Sequence, residues 1–129
     1  MIDHISLQVT NFPKSLSFFR AALEPLGLVP RYIDEAGKSA GFGHAGDNGR
    51  PWFAEGSLWI AEGKPAAKTH LALRGPSREA VAKFHAAAMQ AGGKDNGKPG
   101  VRADYHEDYY AAFVFDPDGN NIEVVTHTK

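Results

Sequence analysis

His4, His70 and Glu123 are the side chains of this sequence best suited to hold a divalent metal ion. Two imidazoles and one carboxylate, contributed from three strands, form a facial set that leaves other coordination positions open to water or substrate. The mixture of borderline nitrogen and hard oxygen suits Fe(II), Mn(II), Ni(II), Co(II) or Zn(II), and an open position is what a catalytic site needs. A lone histidine on the polar face of a strand is usually a solvated residue, so the reading depends on placement. A second group of residues could position or protonate a substrate. It comprises Tyr110 and His106 as proton carriers, with Arg102, Tyr105 and Trp59 as pocket walls. A solvated hairpin is the competing account of residues 101–110, and core packing that of Trp59. His44, His85 and His127 read as surface or structural residues.

The placement comes from an internal repeat. Asp3-His4-Ile5-Ser6-Leu7 is echoed by Thr69-His70-Leu71-Ala72-Leu73. Displacing the first half by the same 66 positions sets Phe18 on Phe84, Ala21 on Ala87, Ala22 on Ala88, Leu23 on Met89 and Gly27 on Gly93. A single offset thus spans strand, helix and helix stop. Each half begins with a strand (3–9 and 69–74) and continues with a helix (about 13–26 and 77–91). Asn11 and Ser77 are N-cap residues, Pro13 lies in the first turn, and Gly27 and Gly92-Gly93 are stops. Pro25 ends or kinks the first helix early. Strands are expected at about 29–35, 38–44 and 57–62, then at 101–105, 109–115 and 121–127, with Asp116-Pro117-Asp118-Gly119-Asn120 as a hairpin turn. The fold class is therefore α+β: two paired βαβββ modules, about 1–65 and 66–129, forming one domain with a cupped mixed sheet and helices outside.

Strand alternation then sorts the faces. Ile5, Leu7 and Val9 oppose His4, Ser6 and Gln8; Leu71 and Leu73 oppose His70, Ala72 and Arg74; Ile122 and Val124 oppose Asn121, Glu123 and Val125. The apolar parity should pack on the helices, which turns the three candidate ligands into the cup. Tyr110 shares parity with Ala112 and Val114, so it faces the cup if Phe113 and Phe115 face the helix.

The bulk composition narrows the partners. With 14 Lys+Arg against 15 Asp+Glu there is no field to draw nucleic acid or an anionic membrane. The absence of cysteine excludes disulfides and thiolate chemistry. The first residues enter a strand without a signal-peptide pattern and no apolar run is long enough to span a bilayer, so a cytoplasmic location is expected.

Three segments, "IDHISLQVTNFPKSLSFF", "KTHLALRGPSREAVAKFH" and "YYAAFVFDPDGNNIEVV", resemble the glyoxalase/bleomycin-resistance/dioxygenase superfamily, and the likeness covers essentially the whole chain. The resemblance implies the paired βαβββ cup, metal ligation by His4, His70 and Glu123, and a homodimer. It also implies a small oxygen-rich substrate that chelates the metal through two adjacent oxygens, so that the ion stabilises developing charge, with Glu123 able to move a proton if displaced from the ion. The leading expectation is a divalent-metal-dependent lyase or isomerase. The alternatives are an extradiol-type Fe(II) dioxygenase and a non-catalytic protein that sequesters an antibiotic or metabolite. Many members carry a fourth ligand on the last strand of the first module. Anchoring Gly56 on Gly119 puts Ile60 at that place, with Trp59 beside it, while Glu62 has the right parity two residues on. Three protein ligands plus water is the expected shell.

Overall fold

A computed structural model describes residues 2–45 and 58–129; the anchor Gly56 and the first residue of the strand expected at 57–62 lie outside them. The chain runs β1 (Ile5–Val9), α1 (Phe12–Leu23), a 3-10 turn (Glu24–Leu26), β2 (Leu28–Asp34), β3 (Ser39–His44) and β4 (Leu58–Glu62). It then repeats the pattern as β5 (His70–Arg74), α2 (Arg78–Gln90), β6 (Lys94–Val101), β7 (Tyr110–Phe115) and β8 (Asn121–Thr126). Two four-stranded sheets result, in the orders β1-β4-β3-β2 and β5-β8-β7-β6. In each, the first and last strands pair in parallel and the others are antiparallel. This is the paired βαβββ architecture expected from the repeat.

Local chemistry accounts for the element ends. The Asn11 side chain accepts from the Lys14 amide at 3.1 Å, and Ser77 Oγ from the Ala80 amide at 3.1 Å, so both helices begin on a side-chain cap. The first helix stops at Leu23 rather than near 26. Pro25 lacks the N–H an α-turn needs, so the chain tightens into the 3-10 turn and leaves through Gly27 at φ 76°. The left-handed counterpart in the second half is Gly92, at φ 96°, one residue before the Gly93 that the fixed offset selects.

The strand expected at 101–105 is instead β6, over 94–101. Its sequence, Lys-Asp-Asn-Gly-Lys-Pro-Gly-Val, has no alternation and reads as a loop. It is tolerated because β6 is an edge strand, where Pro99 need not donate to a neighbour, and its pairing with β7 shifts register on both sides of Gly97.

One hydrophobic cluster joins the halves. Phe12, Phe18, Phe19 and Phe42 from the first module are buried with Phe84, Ile122, Val114 and Val124 from the second. The turn between β7 and β8 is a further tie. Buried Asp116 accepts from the Asn120 amide (2.7 Å), Asn120 Nδ2 (2.9 Å) and the Asp118 amide (3.0 Å). Burial raises the Asp116 pKa, opposed by these Asn120 and Asp118 bonds. Asp118 in turn accepts from the Thr10 amide and hydroxyl, fastening the start of β8 to the end of β1.

Candidate metal centre

The alternation read from sequence holds in β1 and β5: Leu7, Val9 and Leu71 are buried, whereas Ser6, Gln8, His70 and Ala72 are exposed. On the second sheet Ala72 pairs with Glu123, and Glu123 with Phe113, so these three share the face opposite the helices. His70, two residues before Ala72, lies on that face as well.

His70 and Glu123 meet. His70 Nε2 stands 3.0 Å from Glu123 Oε2, with the imidazole half exposed and the carboxylate buried. His70 Nδ1 lies 3.1 Å from the Asn121 carbonyl oxygen, which can only accept, so Nδ1 carries the proton. Nε2 then faces the carboxylate, where the two groups could share a proton or a metal ion. A backbone-bonded Nδ1–H orients the ring and leaves Nε2 as the atom that could ligate an ion. The spacing also fits: two ligand atoms at ~2.1 Å from one ion, at right angles, stand about 3 Å apart. Asn121 Oδ1, on the same strand face as Glu123, is buried without a hydrogen-bond partner.

The other Glu123 oxygen is held by a residue the sequence reading passed over. Tyr109 donates its hydroxyl to Oε1 at 2.5 Å. This bond, then burial, then the carboxylate charge push the Tyr109 pKa up to about 12. The phenol therefore stays protonated at neutral pH as a donor to the carboxylate. An outer-shell partner of a metal ligand typically contributes ten- to hundredfold in affinity, so with Glu123 as a ligand Tyr109→Phe would weaken Mn(II) binding by roughly that factor in a calorimetric titration.

Tyr110 does not look into the cup. Ala112 and Val114 are core residues, Tyr110 packs against the same core, and Arg78 of α2 lies 5.1 Å from its ring centroid. The Phe face is the cup face: Phe113 stacks on His70 at 6.5 Å between centroids. The hydroxyl that reaches the carboxylate thus belongs to the neighbouring tyrosine, one parity away. His106 sits beside it, edge-on to Tyr109 and bonded to His127 through Nε2···Nδ1 at 2.8 Å. Tyr105 also packs edge-on to Tyr109, at 4.8 Å, although it is largely exposed. Arg102 lies over the Phe113 ring at 5.3 Å.

His4 lies apart from the pair. Its imidazole is 58% exposed and its Nδ1 is 2.6 Å from Asp3. It borders a cleft lined by Ile5, Leu58, Leu71 and Leu73, whereas Thr69, next to His70, borders a second cleft with Ser6 and Gln8. β1 and β5 therefore flank each other head to tail, which places equivalent residues toward opposite ends. Among the described residues no three His, Asp or Glu side chains gather closely enough to hold an ion.

Sheet register also settles the fourth position. Ser6 is the repeat-mate of Ala72; Ser6 pairs with Trp59 and Ala72 with Glu123. Trp59, not Ile60, is the counterpart of Glu123, and it packs on Tyr32 at 5.8 Å, while Ile60 is fully buried. Glu62 is engaged elsewhere: it pairs with Lys38 at 2.7 Å and accepts from the Phe12 amide at 3.0 Å, which lower its pKa. Its work is to fasten the start of α1.

A family model described as the Glyoxalase/Bleomycin resistance protein/Dioxygenase superfamily matches residues 1–124. Among solved structures, a glyoxalase/bleomycin resistance protein from Albidiferax ferrireducens T118 is 26% identical, with TM-score 0.77 and 98% of each chain covered. The fosfomycin resistance protein FosX from Mesorhizobium loti is 13% identical, with TM-score 0.67, 99% of this chain and 92% of that one. A mutant of FosX from Listeria monocytogenes, complexed with Mn(II) and 1S,2S-dihydroxypropylphosphonic acid, is 18% identical, with TM-score 0.66, 97% of this chain and 88% of that one. No curated protein matches. Among the described residues no helix is long and apolar enough to cross a membrane.

Proposed function

Since the chain belongs to the Glyoxalase/Bleomycin resistance protein/Dioxygenase superfamily, we propose that it is a divalent-metal-dependent enzyme of the glyoxalase-like lyase or isomerase type. Its ion would be held by His70 and Glu123 of one chain and His4 of a second copy, in a homodimer. The observation that carries this reading is the His70–Glu123 pair, 3.0 Å apart with Nδ1 committed to a carbonyl. When bound, the metal supplies Lewis-acid stabilisation of two substrate oxygens. The protein orients it: Asn121 O fixes the imidazole and Tyr109 fixes the carboxylate. Trp59 at the fourth position leaves coordination sites for substrate. The FosX complex with Mn(II) and a vicinal diol supports Mn(II) as the first metal to try, and vicinal oxygens as the chelating group.

The division of ligands between copies has a direct test. In an isologous dimer with His4 given across the interface, a heterodimer of His4→Ala and His70→Ala chains holds one doubly damaged site and one intact site. Refolding the two variants together in equal amounts should restore about a quarter of wild-type Mn(II) occupancy, although neither binds alone. No restoration would mean that the three residues do not share a site across copies. A three-ligand shell of this composition also suits Fe(II) and oxygen. Uptake of O₂ with catechols by the Fe(II)-loaded protein would favour the dioxygenase instead.

A further inference from the structure

We propose that Arg102 is an anion-recognition residue of the cup, so that the substrate carries a carboxylate or phosphate-type group besides its metal-chelating oxygens. This rests on the metal site proposed above and adds the substrate's charge to it.

The guanidinium is fixed without being neutralised. Its Nη1 donates to the Gly100 carbonyl at 2.9 Å and its Nη2 to the Lys98 carbonyl at 2.7 Å. Carbonyls orient an arginine but leave its full charge uncompensated, and no carboxylate among the described residues pairs with it. Five N–H groups less two leaves three to offer a ligand. The planar group lies over Phe113, and Phe113 is also the ring that stacks on His70. Cation, aromatic ring and metal-binding imidazole are therefore consecutive neighbours on one face.

The strand beneath is shaped for this. A Cβ on Gly97 would come within 3.1 Å of Arg102 Nη2 and 2.9 Å of Phe113, and a Cβ on Gly100 within 3.2 Å of Nη1. Gly97 also occupies φ 156°, which L side chains rarely adopt. The glycines that made β6 unreadable as a strand thus clear the space in which the guanidinium lies. If the arginine served only to pin the edge strand, its charge would be incidental. A planar fork held in place beside a ligand face is instead how proteins read carboxylates and phosphates.

The test uses two ligands with the same chelating head. Lactate offers a hydroxyl and a carboxylate; malate adds a second carboxylate. Displacement of inner-sphere water on Mn(II)-loaded protein, read by water relaxation, should show malate binding about tenfold tighter than lactate. Arg102→Met should erase that preference with Mn(II) affinity unchanged, and Arg102→Lys should retain part of it. In metal-free protein, inorganic phosphate should shift the Arg102 Nε–H resonance. Equal malate and lactate affinities in the wild type, or an undiminished preference in Arg102→Met, would overturn the proposal. If no Mn(II) binds, the metal-site reading fails, and the phosphate titration alone decides Arg102: a shift supports it and no shift overturns it. Should Arg102→Met not fold, Arg102→Lys replaces it with a smaller expected effect: a reduced malate preference supports the proposal and an undiminished one overturns it.

Discussion

Glu123→Gln is expected to lower Mn(II) affinity by more than about a hundredfold while leaving the apo fold in place. Removal of an outer-shell partner alone typically contributes ten- to hundredfold, so loss of a charged ligand should exceed that range. The carboxylate is 3% exposed and meets Tyr109 and His70 on its two oxygens. Gln keeps one oxygen to accept the Tyr109 hydroxyl and turns an N–H toward His70 Nε2, so both neighbours are satisfied without a cation. Only the charge that would hold a metal goes. A metal at a hundredfold excess over its dissociation constant stabilises the folded protein by about 2.7 kcal/mol. For a chain of 129 residues that is a rise of roughly 10 °C in the unfolding midpoint. Thermal melts with and without Mn(II) should show this rise in wild type and none in Glu123→Gln, with the two chelated midpoints within a few degrees. A full metal-dependent rise in the variant would remove Glu123 from the ligand set.

Much of this centre is visible in the sequence, because alternation in a short strand is governed by one decision, which face meets the helices. Leu7, Val9, Leu71 and Ile122 make that decision in their strands, and His70 and Glu123 follow. In β7 the decision is ambiguous: Tyr110, Ala112 and Val114 against Ala111, Phe113 and Phe115 gives two apolar faces. The larger rings on one side suggest a core, yet small Ala112 and Val114 are what fit under α2, and Phe113 remains for the cup. Tyr109 was hidden by the same ambiguity. The place of Trp59 opposite Glu123 was misassigned to Ile60 for another reason: glycine-to-glycine anchoring counts residues along the chain, whereas hydrogen-bonded register counts them across the sheet, and the two differ by one. The position of His4 was never in the pattern. A repeat establishes equivalence, but head-to-tail strands carry equivalent residues apart as readily as together.

Gly93→Ala is expected to be among the most destabilising single-methyl changes in the protein, at about 3 kcal/mol, the upper part of the usual range for overpacking a core. A Cβ there would sit 2.5 Å from Val114 Cγ1, 2.8 Å from Phe18 Cε2 and 2.8 Å from the Ala88 carbonyl oxygen. The valine belongs to β7, the phenylalanine to α1 of the other module, and the carbonyl closes the end of α2 by accepting the Gly93 amide at 2.9 Å. None of the three can withdraw freely. Phe18 and Val114 are fully buried, and moving the carbonyl breaks the bond that ends the helix. The methyl would force the two modules apart at the point where their cores join. Gly92→Ala is the control that separates space from backbone conformation. Gly92 has nothing within 4 Å of its would-be Cβ but a φ of 96°, so only the left-handed cost of about 1–2 kcal/mol applies. Denaturant melts should rank wild type above Gly92→Ala above Gly93→Ala, with the last losing a large share of a typical 5–15 kcal/mol of stability. The reverse ranking would show that α2, β7 and α1 are not pressed together at this glycine.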